Sequence, residues 1–524
     1  VSEVVIKVRW RERLARIPEW GWLAGLLVVL GCGQWFLMSS EFGIFHDPTV
    51  YLEGAESLAT TGGYRFAAHA GRPVIGLYPP LHSAWLALGW KAWPQFPENL
   101  VLLRMQMLGL SLAAVAAAFG VMRRLGSPLG LTLGFCLNLG WGMRWNEGLT
   151  WFMSDAAMMA ILLGLAAVWL GGGEERRGWV GWMLSGWVLA MAVGWRTAAA
   201  GAVLGAGVAV MWGGLREGGW LRVGLLAGPP LLVALGWNRW AEAGVSYGGA
   251  FRIILGNAGG GWVGYGRKFL EQLWETLSGR PFLDGFLLPV SRLGLVMEQR
   301  AGWVGTVLVL VIAVVAWAMV WNAVRSVGRT GSKVERVLAG GVLGYLLLVF
   351  AAPNGESSMG RYFLPVLPLL VAWGWRGWSE VGGERARRRV GWMVMAVLLV
   401  AVPANVKMSM SAKQHWNGFH DLADLEPFSR WVGAGVERDA VIAMDWSLPV
   451  LHFRAWSGRP VVADGIYTKR SFSPVKPPLE PPTHVVVGTV GWDQYTPPEG
   501  FVLLHASPAG KYRLYAVPEG YRIN

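Results

Sequence analysis

Residues 18–51 read PEWGWLAGLLVVLGCGQWFLMSSEFGIFHDPTVY, and the fold turns on how the two halves of this stretch are read. From Trp20 to Met38 there is no charged residue, close to the roughly 20 apolar residues an α-helix needs to cross a bilayer. A basic segment precedes it (Lys7, Arg9, Arg11, Arg13, Arg16), as in a signal peptide. The apolar run is long for such a peptide's core, so it predicts a retained first membrane span. The second half turns polar and presents Phe45-His46-Asp47-Pro48 directly beyond that span. The opening Val-Ser-Glu fits translation from an alternative start codon and points to a bacterial source.

The pattern of the first half recurs. Apolar runs appear at about 18–38, 100–122, 127–143, 150–170, 178–194, 197–213, 220–238, 302–323, 337–352, 362–379 and 390–406, which predicts about eleven transmembrane helices. Composition agrees: 54% of the 524 residues are hydrophobic and 15% charged, against roughly 25% charged in an average soluble domain. The 33 Trp and 73 Gly suit bilayer interfaces and close helix packing.

The net charge of +13 does not signal nucleic-acid binding. From Lys407 onward twelve Lys and Arg face eleven Asp and Glu, so the excess lies in the membrane part. There it alternates. Arg123 and Arg124, Arg176 and Arg177, Arg216 and Arg222, then Arg325, Arg329, Lys333 and Arg336, then Arg385 with Arg387, Arg388 and Arg389 all fall in loops on one side. By the positive-inside rule these loops and the N-terminus are cytoplasmic. An odd number of spans places the C-terminal part outside, in the periplasm of a bacterial inner membrane. Cys32 and Cys136 fall in apolar stretches and define no disulfide framework or metal site.

The reading divides the chain into a transmembrane domain, 1–406, with long outer loops at 39–99 and 239–301, and a soluble α/β domain, 407–524. In the first loop, Trp85, Trp90 and Trp93 suggest a helix from Leu81 to Trp93 lying in the interface. The C-terminal domain offers a helix at Leu422–Val436 and strands at Ala440–Met444, Pro460–Ala463, His484–Thr489, Phe501–His505 and Tyr512–Val517. The last two form a hairpin around Ser507-Pro508-Ala509-Gly510, and Ser473–Thr483 is a Pro-rich loop.

Three outer patches carry the candidate chemistry. The first is His46-Asp47 with Tyr51, Ala55 and Leu58 at helical spacing, followed by Gly62-Gly63-Tyr64 and Tyr78-Pro79-Pro80-Leu81. The second is Met153-Ser154-Asp155, where a charge near the bilayer requires a partner or a function. The third is Arg361-Tyr362-x-x-Pro365-x-x-Pro368, whose guanidinium has the fork that fits phosphate. Taken together they resemble GT-C glycosyltransferases, particularly the branch of protein O-mannosyltransferases and lipid A aminoarabinose transferases. In that family an acid just after the first span lies in the active site.

The resemblance implies sugar transfer, with inversion, from a polyprenyl-phosphate donor to an unidentified protein, lipid or glycan acceptor on the outer side. Asp47 and Asp155 become catalytic candidates, with Asp47 as general base. Arg361, Arg196, Arg72 and His82 are candidates for the donor phosphate, and His46, Tyr51, Tyr64, Tyr78 and Tyr362 for substrate contacts; His69 is a further titratable group of the loop. His-Asp-Pro stands where O-mannosyltransferases carry paired acids, and the Asp-x-Asp of metal-dependent oligosaccharyltransferases is missing. One His and one Asp are too few to define a metal site. Hence no cofactor is assigned, and a divalent metal is left open. Two other classes compete: a transporter or flippase, for which Pro229-Pro230 would break a span, and a non-catalytic subunit of the same fold.

Overall fold

The computed structural model describes residues 17–41, 46–69, 71–76, 78–172, 178–214, 219–241, 261–277, 303–351, 359–444, 448–463, 482–489, 497 and 499–519. Each apolar run falls on a helix. The first half comprises α1 Glu19–Leu37, α2 His46–Thr60, α3 Leu81–Ala92, α4 Leu100–Arg124, α5 Leu129–Gly140, α6 Met143–Thr150, α7 Asp155–Gly171, α8 Trp179–Trp195, α9 Ala199–Gly214 and α10 Gly219–Ala241. Then come α11 Gly261–Leu277, α12 Trp303–Thr330, α13 Lys333–Ala351, α14 Met359–Phe363, α15 Leu367–Val381 and α16 Glu384–Trp416. The basic segment before residue 17, Arg176, Arg177, Arg216 and most of the Pro-rich 473–483 stretch lie outside the described residues.

The protein is a multi-pass membrane protein. Among the described residues five helices are individually long and apolar enough to cross a bilayer, or six if α6 and α7, which meet at 114°, form one broken span. The shorter α5, α8 and α9 reach only about 18–26 Å at 1.5 Å per residue, less than a hydrocarbon core of about 30 Å.

Three local expectations change. The run at 362–379 is split into α14 and α15, because Pro365 has no N–H to donate and its ring crowds the preceding turn. Pro229 and Pro230 do not break α10, which runs through both, so the feature that favoured a transporter is missing. The helix after Tyr78-Pro79-Pro80 does not turn its tryptophans outward. Trp90 is buried in α3, Trp85 is half-buried, and only Trp93 at its end is exposed. The outward apolar face belongs to α11 instead, where Trp262, Leu270 and Trp274 are exposed while Gln272 and Thr276 face the protein.

Glycine decides the closest helix contact. Gly201 and Gly205 of α9 meet Gly340 and Gly344 of α13, and a Cβ on Gly205 would lie 2.0 Å from the Gly340 carbonyl oxygen. The two backbones therefore touch, as small residues four apart allow. Elsewhere buried polar side chains tie the helices. Gln34 of α1 donates to the Gly140 carbonyl and accepts from Ser111 of α4, each at 2.9 Å, and Trp145 of α6 donates to Ser111 at 2.7 Å.

Beyond α16 the chain forms α17 Leu422–Gly435, β1 Ile442–Met444, α18 Val450–Ser457, β2 Val461–Ala463, β3 His484–Gly488, β4 Val502–Ala506 and β5 Tyr512–Ala516. The sheet order is β2-β1-β3-β5-β4, with β2-β1-β3 parallel and β5 antiparallel to both its neighbours. The β4–β5 pair is the hairpin read from the sequence, whereas α18 supplies the crossover that parallel pairing requires. This layer docks on the 39–99 loop. Arg454 of α18 forks onto Glu56 of α2 at 2.5 and 2.6 Å, and Val461 N–H donates to the Ala68 carbonyl at 2.6 Å.

Candidate functional site

The site lies where α2, α7, α13, α14 and the α8–α9 turn meet. Asp47 stands in the first turn of α2, where the helix dipole favours an anion. Tyr78 donates to its Oδ1 at 2.6 Å. One turn along α2, Tyr51 shares a hydrogen bond of 3.1 Å with Ser154, the residue before α7. Its ring also packs edge-on against Tyr78 and His82.

Asp155 opens α7 and gathers two arginines. Its Oδ2 is 3.0 Å from Arg196 Nη1 and 3.6 Å from Arg361 Nε, and all three side chains are largely buried. These are ion pairs by proximity only, since neither carboxylate oxygen has an aligned hydrogen-bond donor among the described residues. Arg196 donates instead to Ser154 Oγ at 3.1 Å, and Arg361 to Tyr362 Oη at 3.3 Å. Both guanidiniums lie against the Tyr362 ring, 5.0 and 5.1 Å from its centroid. Two cations on one carboxylate leave a local positive surplus at the N-terminus of α7, an arrangement suited to an anion. Asp47 acts electrostatically on Arg361, which connects the two acids.

The turn that aims Ser154 and Asp155 at the arginines is strained. Phe152 has φ +52°, a left-handed conformation that costs a bulky residue about 1–3 kcal/mol. His82 secures it by donating from Nε2 to the Phe152 carbonyl at 2.7 Å, while Trp195 donates to His82 Nδ1 at 2.9 Å. Those two bonds fix the neutral tautomer, and burial lowers the imidazole to about 4. With both nitrogens engaged and no charge, His82 braces the turn rather than offering a hand to a phosphate.

The remaining candidates sit apart from this cluster. Arg72 is exposed in a tight turn at φ +44°, its carbonyl accepting from Arg65. Tyr64 packs with Val50, Phe66 and Ile75 and stacks on Trp240. His69 is buried against Glu53, at 3.4 Å. The His46 side chain lies outside the described residues. No three His, Cys, Asp or Glu side chains gather as metal ligands among the described residues.

An apolar cavity of about 680 Å³ is walled by Tyr64, Pro79, Pro80, Leu81, Trp237 and Trp240. Gly194 and Thr197, on either side of Trp195-Arg196 in the chain, also line it.

No family model and no curated protein matches the sequence. Solved structures do. ArnT from Cupriavidus metallidurans bound to undecaprenyl phosphate superposes with a TM-score of 0.55 at 12% identity, covering 95% of this chain and 98% of that one. Its apo state gives 0.52 at 11% identity over the same shares. The Archaeoglobus fulgidus oligosaccharyltransferase in complex with Zn and sulfate gives 0.50 at 11% identity, over 94% of this chain and 74% of that one. The chain has the GT-C fold, and its structural neighbours include the lipid A aminoarabinose transferase ArnT.

Proposed function

We propose that this protein is a membrane glycosyltransferase that moves a sugar from a polyprenyl-phosphate donor to an acceptor on the extracytoplasmic side. The observation that carries the reading is the pair of buried guanidiniums on Asp155, with an apolar cavity lined by Gly194 and Thr197, which flank Trp195-Arg196 in the chain. An amphiphile with a phosphate head and an isoprenoid tail matches that combination, and ArnT, of the same fold, was crystallised with undecaprenyl phosphate.

In this reading Arg196 and Arg361 bind the donor phosphate, with the lipid in the cavity. Asp47 takes the proton of the acceptor hydroxyl as its oxygen attacks the anomeric carbon from the side opposite the phosphate. The bond between that carbon and the phosphate oxygen breaks, the electron pair leaves with the phosphate, and configuration inverts. The arginines stabilise the charge on the departing group. The Tyr78 hydrogen bond holds Asp47 in place, and Asp155 positions the two arginines. His82, through Phe152, and Tyr51, through Ser154, keep the turn before α7 in register.

The topology belongs to the same proposal: about eleven spans, a cytoplasmic N-terminus, membrane and soluble domains at 1–406 and 407–524, and a bacterial inner membrane as the setting. The acceptor would enter from the sheet-bearing side. The test is single-turnover transfer in proteoliposomes, using a panel of polyprenyl-phosphate sugars. The wild type should transfer one of them, and Asp47→Asn should lower the rate by about 10²–10⁴-fold with an unchanged melting temperature. Transfer by Asp47→Asn at the wild-type rate would remove Asp47 as the base.

A further inference from the structure

A second cavity lies far from the arginine pair. It measures about 270 Å³ between the start of α5, the middle of α15 and the first turns of α16, and its apolar lining includes Leu131, Trp375, Gly391, Val394 and Met395. Arg387 and Arg388, both exposed, complete it. The helix α16 fixes where this is. Its last residue, Trp416, packs edge-on against Trp151, just before the turn that carries Ser154 and Asp155. Gly391 lies roughly 37 Å back along the same helix at 1.5 Å per residue. The cavity is therefore at the opposite end of the membrane span from the site described above.

Polarity changes in order along its α16 wall. Arg385, Arg387, Arg388 and Arg389 are all exposed, and from Val390 to Val406 no charged residue follows. Trp392, exposed on the same turns, stands where tryptophans collect at the border of headgroups and hydrocarbon. Arg388 and Met395 are about 10 Å apart along the axis, so one groove offers cations at one end and apolar walls at the other. The cations are available. Arg387 donates to the Ser379 carbonyl at 2.7 Å, one of the five N–H groups a guanidinium carries. Arg388 pairs with Glu384 at 2.5 Å, but the two side chains are 75 and 74% exposed, and such a pair holds its cation weakly. Gly391 is a poor helix former, and a Cβ there would meet only Trp375 Cη2, at an ordinary 3.4 Å. Helix packing does not require a glycine at that position; an open cavity does. Inorganic phosphate would engage the arginines and leave the apolar walls bare, whereas an amphiphile covers both.

We propose that this cavity binds an acidic glycerophospholipid, with its phosphate on Arg387 and Arg388 and one acyl chain against Trp375, Gly391 and Met395. Basic pockets between transmembrane helices recognise such headgroups. The site is separate from the donor reading and stands whether or not that reading does.

The experiment titrates the full-length protein in detergent with phosphatidylglycerol or phosphatidylcholine of identical acyl chains. Bound lipid is counted by native mass spectrometry, and unfolding is followed by thermal shift. The wild type should prefer phosphatidylglycerol by about 10-fold or more. The double variant Arg387→Gln, Arg388→Gln should bind phosphatidylglycerol about 10- to 30-fold more weakly, the attraction of two basic residues to an anionic headgroup, and bind phosphatidylcholine as the wild type does. Gly391→Leu keeps every charge, fills the cavity and favours the helix. It should melt at or above the wild-type temperature without lipid, yet bind phosphatidylglycerol about 10-fold more weakly, the burial of about two acyl methylenes. A control pair, Arg329→Gln with Arg336→Gln, removes two exposed charges that do not line the cavity and should bind as the wild type does. Equal uptake of both lipids by the wild type overturns the proposal, as does wild-type binding by Gly391→Leu. An equal loss in the control pair also overturns it, since the attraction would then belong to basic loops at large. Displacement of phosphatidylglycerol by millimolar inorganic phosphate would make the place a free-anion site and overturn the lipid assignment.

Discussion

Replacing Asp155 with Asn separates a carboxylate that does chemistry from one that holds arginines. Asn keeps the size and removes the charge, leaving Arg196 and Arg361 buried with no counter-ion at the 3.0 and 3.6 Å positions. Removing one partner from a buried ion pair destabilises by about 3–5 kcal/mol. With an unfolding entropy of roughly 2.1 cal/mol/K per residue, that lowers the melting temperature of a chain of this length by about 3–5 °C. The orphaned guanidiniums then become a stronger anion site, so millimolar inorganic phosphate should restore the melting temperature of Asp155→Asn and barely move that of the wild type. Single-turnover transfer should fall less than in Asp47→Asn. The assay is thermal unfolding of the purified protein in detergent across a phosphate series, beside the transfer measurement. If Asp155→Asn melts with the wild type, ignores phosphate and is catalytically dead, the positioning role is wrong and Asp155 belongs to the chemistry.

Further outcomes test the rest. Arg361→Lys should retain more donor affinity than Arg361→Ala, because the charge survives while the fork is lost; equal KM values for the two variants would reduce Arg361 to a lipid anchor. A single Cys at the exposed position 438, in a variant lacking Cys32 and Cys136, should react with an impermeant maleimide in intact spheroplasts; protection until lysis would invert the topology. Burial lowers His420 to about 4, and neither of its ring nitrogens has a hydrogen-bond partner among the described residues. Because the folded imidazole titrates below the unfolded value of about 6.5, its contribution is complete above pH 6.5 and is lost as pH falls towards 4, at up to about 1.4 kcal/mol per pH unit. His420→Leu should flatten the acid side of the stability curve in that window, and an unchanged slope would show that the loss comes from other groups.

The sequence by itself determined the membrane class and the position of every apolar run, because crossing hydrocarbon is a requirement on composition that a single chain must meet residue by residue. It also singled out Asp47, Asp155 and Arg361, since charged groups at the ends of apolar runs stand out against their surroundings. Strand alternation likewise revealed the β4–β5 hairpin, a local pairing. Tertiary structure alone decided how these groups are arranged. That Arg196 and Arg361, 165 residues apart, share one carboxylate depends on long-range helix packing, which no periodicity encodes. His82 became a neutral brace because Trp195 and Phe152 occupy its two nitrogens, a matter of geometry at the two ends of different helices. Gly391 was invisible as one small residue in an apolar run, and only the packing of α5 and α15 beside α16 made it the wall of a cavity that Arg387 and Arg388 complete.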